Sequence, residues 1–519
     1  LKATLLLEST THTEGVSHIV AELTSMGSDR AVAKLHISTA TVVGTLLAGT
    51  VALQTYLRWR RLPRGVPQAW KLWPFGHLHI VVKALRGYRL HDTLVENFKA
   101  LGDTILLDIP TQPPFIFTID PKNVEHILKT NFENYPKGQF MHTRAADLLG
   151  DGIFNADGSL WHSQRKTSSK MFTANKFKTH IWKVVHKNSD KVVSLLEATN
   201  PGEVVDIFDV LNRFTLDSIG EIGFGADIRS LEKADSPFLQ SFDRAQQILV
   251  FRFFIPGWQL FRLFGLGTEW STRRHIGLLR AYSSNIVNDL KGKLDGEAGD
   301  SFVGLFMKSG EATSDSLLED LVLNFLIAGR DTTAQAMAWC LWNIMQKPEV
   351  EKKILDEGDR VCGEGQPLTY EKISSLEYLG AVISESLRLY PSVPIDVKTA
   401  AGDDTLPDGS FVPRGTTIAY SAFGMGRSTK IWGEDAEQFK PDRWLDMAMP
   451  VDAYSYPVFH AGPRECLGKR LAQVEMKSLL LTILRHVKLE LAVPVHHIRP
   501  DLQLTLGMSS GLPCTVRRR

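Results

Sequence analysis

The chain has 519 residues, 43% of them hydrophobic and 23% charged, proportions that are typical of a globular protein with a large core. Its formal net charge is +1 and no long block of like charges occurs, so nucleic acid is not expected as a partner. The four cysteines include no CxxC pair, which disfavours a zinc site and a disulfide framework and suits a reducing compartment.

Residues 37–57 form the first notable segment, a run of 21 residues without a charged side chain. As a helix they would extend about 30 Å, the thickness of the hydrocarbon core of a membrane. Four arginines lie at positions 58 to 64, and the positive-inside rule then places the rest of the chain in the cytosol. Because threonines weaken the apolar run, a buried or amphipathic helix is the alternative. The predicted organisation is an N-terminal segment (1–36), a transmembrane anchor (37–57), a basic Pro/Gly hinge (58–67) and one globular domain (68–519).

After the hinge, the sequence pattern favours helices and contains few extended runs. Short strands are predicted at residues 104–109, at residues 115–119 and around residues 411–420, where Gly and Pro bound apolar runs. Trp161 and Arg165 lie one turn apart on a predicted helix. The sequence therefore predicts a mainly α fold with a small β portion.

Six aromatic residues crowd the segment 251–264. This composition is consistent with a lid that touches a bilayer and admits lipids. A helix of the protein core would show the same pattern, and the sequence leaves both interpretations open.

A helix of about 30 residues is predicted over residues 316–347, with a capping-box signal at Ser316. Inside it, Gly329 costs about 1 kcal/mol of helix stability relative to alanine, so some other interaction should offset that cost. Ala328 and Gly329 would leave a notch, and the Thr332 hydroxyl would reach the carbonyl of Ala328. A notch beside a hydroxyl can hold dioxygen and water.

A pair of opposite charges, Glu385 and Arg388, lies on one face of a later predicted helix. Taken alone, such a pair is usually a solvated ion pair worth about 0.3 kcal/mol. Arg443 follows in a Pro-x-Arg element about twenty residues before the most specific motif of the chain.

That motif is Phe459-His460-Ala461-Gly462-Pro463-Arg464-Glu465-Cys466-Leu467-Gly468. A helix is predicted over residues 471–486, so Cys466 would lie near a helix N-terminus, with a cation close by. Both features lower the pKa of a thiol, as a bound metal does. Gly462 and Gly468 would let a flat macrocycle approach the backbone. The motif predicts a single thiolate ligand for iron, and a buried free cysteine is the alternative.

The pattern Phe-x-x-Gly-x-Arg-x-Cys-x-Gly resembles the haem-binding loop of the cytochrome P450 monooxygenases. The resemblance implies that haem b is the cofactor and that Cys466 is the axial ligand of its iron. It implies that Trp161, Arg165 and Arg464 bind the haem propionates, with Lys398 as a further cation. The other residues expected to contact the haem are Phe459, Gly462, Ala328 and Gly329.

The same resemblance assigns roles away from the thiolate loop. The run Ala-Gly-x-Asp-Thr-Thr resembles the oxygen-activating helix of the family, which makes Asp331 the expected relay acid and Thr332 the residue that organises a water. Glu385, Arg388 and Arg443 are expected to form a structural network behind the haem. Trp444 stands where the family more often has phenylalanine.

Residues 328–477 are similar to the fatty-acid ω-hydroxylase branch of the family, through Arg330 in Ala-Gly-Arg-Asp-Thr-Thr and the run 390–396. This similarity implies hydroxylation of a long-chain fatty acid by O2. Electrons are expected from NADPH through a separate NADPH–cytochrome P450 reductase, which could dock on a cationic face of Lys469, Arg470 and Lys477. A solvated face is the alternative reading of those cations. The expected location is the endoplasmic-reticulum membrane, with the catalytic domain facing the cytosol.

Three alternative functions stay open on the sequence. The substrate could be another lipid: a terpenoid, a sterol, a carotenoid or an alkane. The enzyme could rearrange or dehydrate an oxygenated lipid without dioxygen, although Asp331 and Thr332 argue against that chemistry. A non-catalytic haem-binding or electron-carrying membrane protein would leave the notched helix unexplained.

Overall fold

The computed structural model describes residues 49, 62–72, 75–86, 89–109, 112–173, 180–233, 237–255, 257–292, 301–310, 314–363, 366–446 and 451–519. The chain divides into two units, Leu1–Leu62 and Pro63–Arg519, and every structural statement below concerns the second unit. The predicted segments 1–36 and 37–57 lie outside the described residues apart from Gly49. In the part of the chain that is described, no helix has both the length and the apolar character needed to cross a membrane.

Helices make up most of the second unit, as predicted. In chain order the described α-helices are α1 (Leu78–Arg86), α2 (Leu90–Leu101), α3 (Pro121–Glu125), α4 (Gly138–Leu149), α5 (Gly158–Ser169), α6 (Trp182–Glu197), α7 (Ile207–Phe224), α8 (Pro237–Phe254), α9 (Trp258–Phe264), α10 (Thr272–Lys291), α11 (Phe302–Ser309), α12 (Asp315–Met345), α13 (Pro348–Cys362), α14 (Tyr370–Ser374), α15 (Glu377–Leu389), α16 (Ala422–Met425), α17 (Thr429–Trp432) and α18 (Lys469–His486). A π-helical turn, His126–Thr130, follows α3.

The strands form small sheets at the periphery of the helices. They are β1 (Thr104–Leu107), β2 (Phe115–Thr118), β3 (Val204–Asp206), β4 (Asp396–Thr399), β5 (Asp404–Thr405), β6 (Phe411–Val412), β7 (Thr417–Tyr420), β8 (Val487–Leu491), β9 (Pro500–Leu502), β10 (Leu506–Met508) and β11 (Pro513–Arg518). The largest sheet has the order β1-β2-β7-β4, in which β2 and β7 are parallel and the other neighbours antiparallel. The remaining sheets are β3-β11-β8, β9-β10 and β5-β6.

The predicted strands appear with one correction. β1 and β2 occupy the first two predicted runs, with Ile105 paired to Phe117. The run 411–420 forms two strands, β6 and β7, rather than one continuous strand. Gly415 adopts φ 81° between them, a left-handed conformation that ends one strand and turns the chain into the next.

The long helix was predicted correctly in length, but its first turn starts differently. α12 has 31 residues, and its N-cap is Ser314, whose hydroxyl accepts the Leu317 N–H at 3.2 Å. The capping-box signal at Ser316 is therefore wrong by two residues. Ser314 has the extended backbone that an N-cap needs, and Asp315 adds a negative charge to the first turn, where the helix dipole favours it.

α12 is buried on all sides over residues 320–341, except at Ala328, Gly329 and Thr332. Those three residues share one face, so they form the single opening in this stretch of helix. Gly329 also has a packing role that the sequence did not reveal, because a Cβ added there would lie 2.5 Å from Ile219 of α7. The close approach of α7 therefore requires glycine at this position and offsets its helix-propensity cost.

We expect Gly329→Ala to lower the free energy of unfolding by roughly 1 to 3 kcal/mol, because overpacking against the β-branched Ile219 outweighs the better helix propensity of alanine. The matched control is Gly277→Ala in α10, where nothing lies within 4 Å of the added Cβ and a gain of about 1 kcal/mol is expected. Denaturant unfolding followed by circular dichroism measures both variants. Equal stability of the two variants would contradict the packing role of Gly329.

Candidate active site

The cysteine loop is closed by a backbone hydrogen bond in which the N–H of Cys466 donates to the carbonyl of Phe459 at 2.8 Å. His460 and Gly462, inside the loop, have φ of 58° and 66°, in the left-handed region. A Cβ on Gly462 would lie 2.2 Å from the backbone oxygen of Leu128, in the π-helical turn. Glycine at 462 is therefore required by the protein's own backbone, in addition to any approach of a macrocycle.

Cys466 is exposed, whereas the other three cysteines are buried. It precedes α18, whose N-cap is Gly468, so the thiol lies near the helix N-terminus as predicted. Desolvation by surrounding atoms raises the pKa of the Cys466 thiol, while the Gly468 N–H, Arg165 and Lys469 lower it. The helix terminus and the cations therefore act on the thiol pKa in the direction that the sequence predicted, while desolvation acts against them.

The three residues predicted to bind the propionates lie close together. Trp161 of α5 is buried, and the guanidinium of Arg464 lies 4.3 Å from the centre of its ring. Arg165 lies one turn further along α5, 5.9 Å from the same ring. Arg464 Nη2 donates to the Asp157 carboxylate at 2.6 Å and to the Ala156 carbonyl at 3.1 Å.

Lys398 lies on β4, is fully buried and contacts the Asp396 carboxylate at 2.7 Å. Burial and neighbouring cations lower the pKa of Lys398 to about 7, although Asp396 raises it. Lys137 donates to the other oxygen of Asp396 at 2.5 Å. Two lysines thus share one buried carboxylate.

Basic groups outnumber acidic groups in this region. We call the four basic side chains Lys137, Arg165, Lys398 and Arg464 the cation cluster. Arg464 Nε is buried without a hydrogen-bond partner in the described chain. Four basic groups face only two carboxylates, Asp157 and Asp396, because the nearby Glu465 is paired with Lys469, and Lys398 is only partly protonated at neutral pH. Uncompensated buried charge is unfavourable, so the cluster is suited to anionic groups.

Glu385, on α15, is the centre of a buried network that includes Arg388 and Arg443. Its carboxylate accepts from Arg388 Nη2 at 2.7 Å, from Arg388 Nε at 2.8 Å and from Arg443 Nε at 3.0 Å. Glu385 and Arg388 have no exposed side-chain surface. Arg388 also donates to the carbonyls of Gly426, Ala436 and Gln438, which joins α15 to the chain segment that leads to the cysteine loop.

Trp444 belongs to this network, which the sequence reasoning missed. Its indole Nε1–H donates to Glu385 Oε2 at 2.9 Å, and the Lys440 backbone N–H donates to Oε1 at 2.8 Å. A phenylalanine at 444 could supply the bulk but no donor. The indole N–H is the feature of the sequence that could have revealed this role, since a buried tryptophan N–H usually donates a hydrogen bond.

We expect Trp444→Phe to lower the free energy of unfolding by roughly 1.5 to 3 kcal/mol, because a buried carboxylate loses one donor. Trp270→Phe is the control, since Trp270 is 73% exposed. Chemical denaturation of the two variants, monitored by circular dichroism, compares them. An equally small effect of both substitutions would show that the indole contributes bulk alone.

The opening on α12 contains the predicted hydroxyl contact. Thr332 Oγ1 donates to the Ala328 carbonyl at 2.7 Å, as the sequence predicted. Ser392 Oγ donates to the Thr332 carbonyl at 2.7 Å, and Thr215 Oγ1 donates to the Arg330 carbonyl at 2.9 Å. Three hydroxyls therefore engage α12 carbonyls within five residues.

Asp331 is buried and lies away from this opening, on the side that faces α8. Its carboxylate accepts from Gln246 Nε2 of α8 at 2.8 Å and from Arg330 Nη1 at 2.8 Å, and Arg330 also pairs with Asp243 at 2.7 Å. Burial raises the pKa of Asp331 to about 6, although Arg330 and Gln246 act in the opposite direction. The structure thus brings Ala328, Gly329 and Thr332 to the opening but not Asp331.

An accessible thiol, a surplus of basic groups and a long helix with one opening are the parts that a haem-thiolate enzyme requires. Residues 67–511 match the family model of cytochrome P450, and the chain belongs to that family. It is therefore a monooxygenase with a mainly helical cytochrome P450 fold. The family uses haem b and obtains electrons from a separate reductase.

Three relatives illustrate the similarity. Cytochrome P450 CYP94D109 of Paris polyphylla is 37% identical over 432 residues, which cover 78% of this chain and 85% of that protein. Cytochrome P450 86B1 of Arabidopsis thaliana is 35% identical, covering 87% and 86%. Cytochrome P450 94A2 of Vicia sativa is 36% identical, covering 80% and 85%. The predicted resemblance to the family and its ω-hydroxylase branch is confirmed as a resemblance, while the substrate is a separate question.

The residues present fit a haem. Cys466 would supply an accessible sulfur ligand, and the basic groups of the cation cluster outnumber its carboxylates, which suits the two carboxylates of the porphyrin. The unpartnered Arg464 Nε adds a donor for one of those carboxylates.

Proposed function

We propose that this monooxygenase hydroxylates long-chain fatty acids, with the terminal carbon as the preferred position. The proposal rests mainly on residues 328–333. They include the opening on α12 and have the Ala-Gly-Arg-Asp-Thr-Thr sequence of the ω-hydroxylase branch. Arg330 in that sequence is buried and bridges Asp243 and Asp331. This arginine of the branch sequence therefore has a structural role inside the protein.

When bound, the haem supplies the iron that activates dioxygen and transfers one oxygen atom to the substrate. Cys466 would ligate that iron, and Trp161, Arg165 and Arg464 would hold the propionates. Phe459 and Gly462 would shape the loop on the thiolate side of the macrocycle, and Ala328 and Gly329 would contact it from α12.

Thr332 and Asp331 have separate tasks in this proposal. The Thr332 hydroxyl donates its proton to the Ala328 carbonyl, so its oxygen lone pairs are left to accept a hydrogen bond from water at the opening. Asp331 exchanges protons near neutral pH, since the pKa of its carboxyl is raised to about 6. Its carboxylate must leave Gln246 before it can reach that water.

We expect Thr332→Ala to bind haem but to lose most of its coupling, because the water at the opening loses its acceptor. The measurement is the fraction of NADPH electrons that appear in product rather than in hydrogen peroxide. The control is Ser194→Ala on the exposed face of α6, which removes the same kind of hydroxyl-to-carbonyl bond, here to Asp190. Unchanged coupling in Thr332→Ala would overturn the role of its hydroxyl.

We propose NADPH–cytochrome P450 reductase as the electron donor, but the cationic docking face needs a correction. Lys477 Nζ donates to the Leu376 carbonyl at 2.7 Å and is half-buried, and burial lowers its pKa. Lys477 is therefore a helix-packing residue rather than a surface charge. Lys469 is exposed and paired with Glu465, and Arg470 contacts the Tyr370 hydroxyl.

We propose the endoplasmic-reticulum membrane as the location, with residues 37–57 as the anchor and the catalytic domain in the cytosol. Support comes from α9, where Leu260, Leu263 and Phe264 are 60%, 71% and 68% exposed. Trp258 at the start of the same helix is buried, so the aromatic segment 251–264 combines a core side with an apolar exposed side. Such a surface favours contact with lipid.

The full chain, reconstituted with a reductase, NADPH and saturated fatty acids of 12 to 18 carbons, tests the substrate. We expect monohydroxylated acids oxidised mainly at the terminal carbon, identified by mass spectrometry, and none from Cys466→Ala. Oxidation of terpenoids, sterols, carotenoids or alkanes instead of fatty acids would refute the proposed substrate. Turnover of an oxygenated lipid without NADPH or dioxygen would favour an isomerase or dehydratase.

A further inference from the structure

A second excess of positive charge lies outside the haem region, at Arg144 of α4. The side chain is only 6% exposed, and its guanidinium stacks 3.6 Å from the centre of the Phe140 ring. Phe140 in turn packs against Phe115 of β2 and Phe253 of α8, at ring distances of 5.2 and 5.9 Å. One aromatic ring therefore covers the buried cation, and rings from two other elements pack against that ring.

The hydrogen bonds of Arg144 are all made to neutral acceptors. Nε donates to the Arg252 carbonyl at 3.1 Å, Nη1 to the Phe140 carbonyl at 3.0 Å and Nη2 to Gln112 Oε1 at 2.5 Å. A guanidinium has five N–H donors, so these three bonds leave one N–H on each terminal nitrogen. Those two donors can form the fork that binds a carboxylate.

No carboxylate of the described residues lies within ion-pair distance of Arg144. The acids of the neighbourhood are already engaged, since Asp147 pairs with Arg252 at 2.7 Å and with Arg262 at 2.9 Å. Glu269 pairs with Arg252 at 2.6 Å. Three arginines therefore face two carboxylates, and the surplus charge falls on Arg144.

The surplus charge is unfavourable for the protein alone. Burial lowers the pKa of Arg144 to about 10, so the group is still protonated at neutral pH. A buried ion without a counter-ion costs several kcal/mol, whereas the same ion paired with a carboxylate recovers much of that cost. Neutral acceptors and a ring face compensate only in part.

We propose that Arg144 binds the carboxylate of the fatty-acid substrate, with Gln112 orienting its guanidinium and Phe115 and Phe253 contacting the start of the acyl chain. The inference rests on the proposed function, because it requires a substrate that is both anionic and apolar. Arg144 would recognise the carboxylate end of the substrate, which is remote from the carbon that reacts.

Two hydrogen bonds link the C-terminal end of α4 and the residues after it to α12. Asn324 of α12 donates to the Leu149 carbonyl at 2.8 Å, and Asp320 accepts the Asp151 N–H at 2.9 Å. Asn324 precedes Thr332 by eight residues, about 12 Å along the helix. An acid held by Arg144 would therefore present its chain at a fixed distance from the opening, and its length would select the carbon that reaches it.

The test compares hexadecanoic acid with its methyl ester, using the haem-loaded full chain and the shift of the Soret band on binding. We expect Arg144→Met to weaken binding of the acid at least tenfold and to leave the ester within twofold of wild type. The second variant, Gln112→Glu, keeps Arg144 but supplies a permanent carboxylate partner, and should weaken the acid selectively as well. Arg262→Met removes a neighbouring arginine that is paired with Asp147, and it should leave the ratio of acid to ester affinity unchanged.

Product analysis gives an independent readout. Wild type should oxidise the acid at one position, and Arg144→Met should spread oxidation over several carbons. If wild type oxidises fatty acids and Arg144→Met weakens acid and ester equally, or neither, Arg144 is structural and only this inference fails. If wild type neither binds nor oxidises any fatty acid, the proposed function is wrong, and the inference about Arg144 is wrong as well.

Discussion

The burial of the Glu385 carboxylate is the constraint on which the rest of the site depends. Five N–H groups from Arg388, Arg443, Trp444 and the backbone of Lys440 surround a charge that has no access to water. Because an uncompensated charge there would cost several kcal/mol, the helix and the segment that carries these donors must stay together. The cysteine loop is the continuation of that segment, so the position of the thiol follows from an ion network that never touches it.

Charge is balanced locally at Glu385 but not in two other places. In the cation cluster beside Cys466 the basic groups outnumber the carboxylates, and the arginines around Arg144 have one positive charge in excess. Both excesses lie in buried or half-buried surroundings, where they are least well solvated. Binding an anionic group at either place would recover part of the unfavourable free energy of the unpaired charge. The stability of the domain should therefore depend on what it has bound.

Residue spacing was enough to predict the helices, the thiol near a helix N-terminus and the Thr332 contact with Ala328, because all are local relations within a few residues. It could not reveal contacts between distant elements. The requirement for glycine at 329 comes from Ile219, the donor on Trp444 serves a carboxylate 59 residues earlier, and Asp331 is held by Gln246. For the same reason, the pattern of basic residues could not show that Lys477 points into a helix contact.

α8 connects two of these features. Gln246, near its middle, holds the Asp331 carboxylate, and Phe253, seven residues on and about 10 Å further along the axis, packs beside the Phe140 ring that covers Arg144. A helix moves as a rigid rod over two turns, so a displacement at the Phe253 end is felt at Gln246. Any displacement of α8 caused by what lies against Phe253 would therefore also change the hydrogen bond between Gln246 and Asp331.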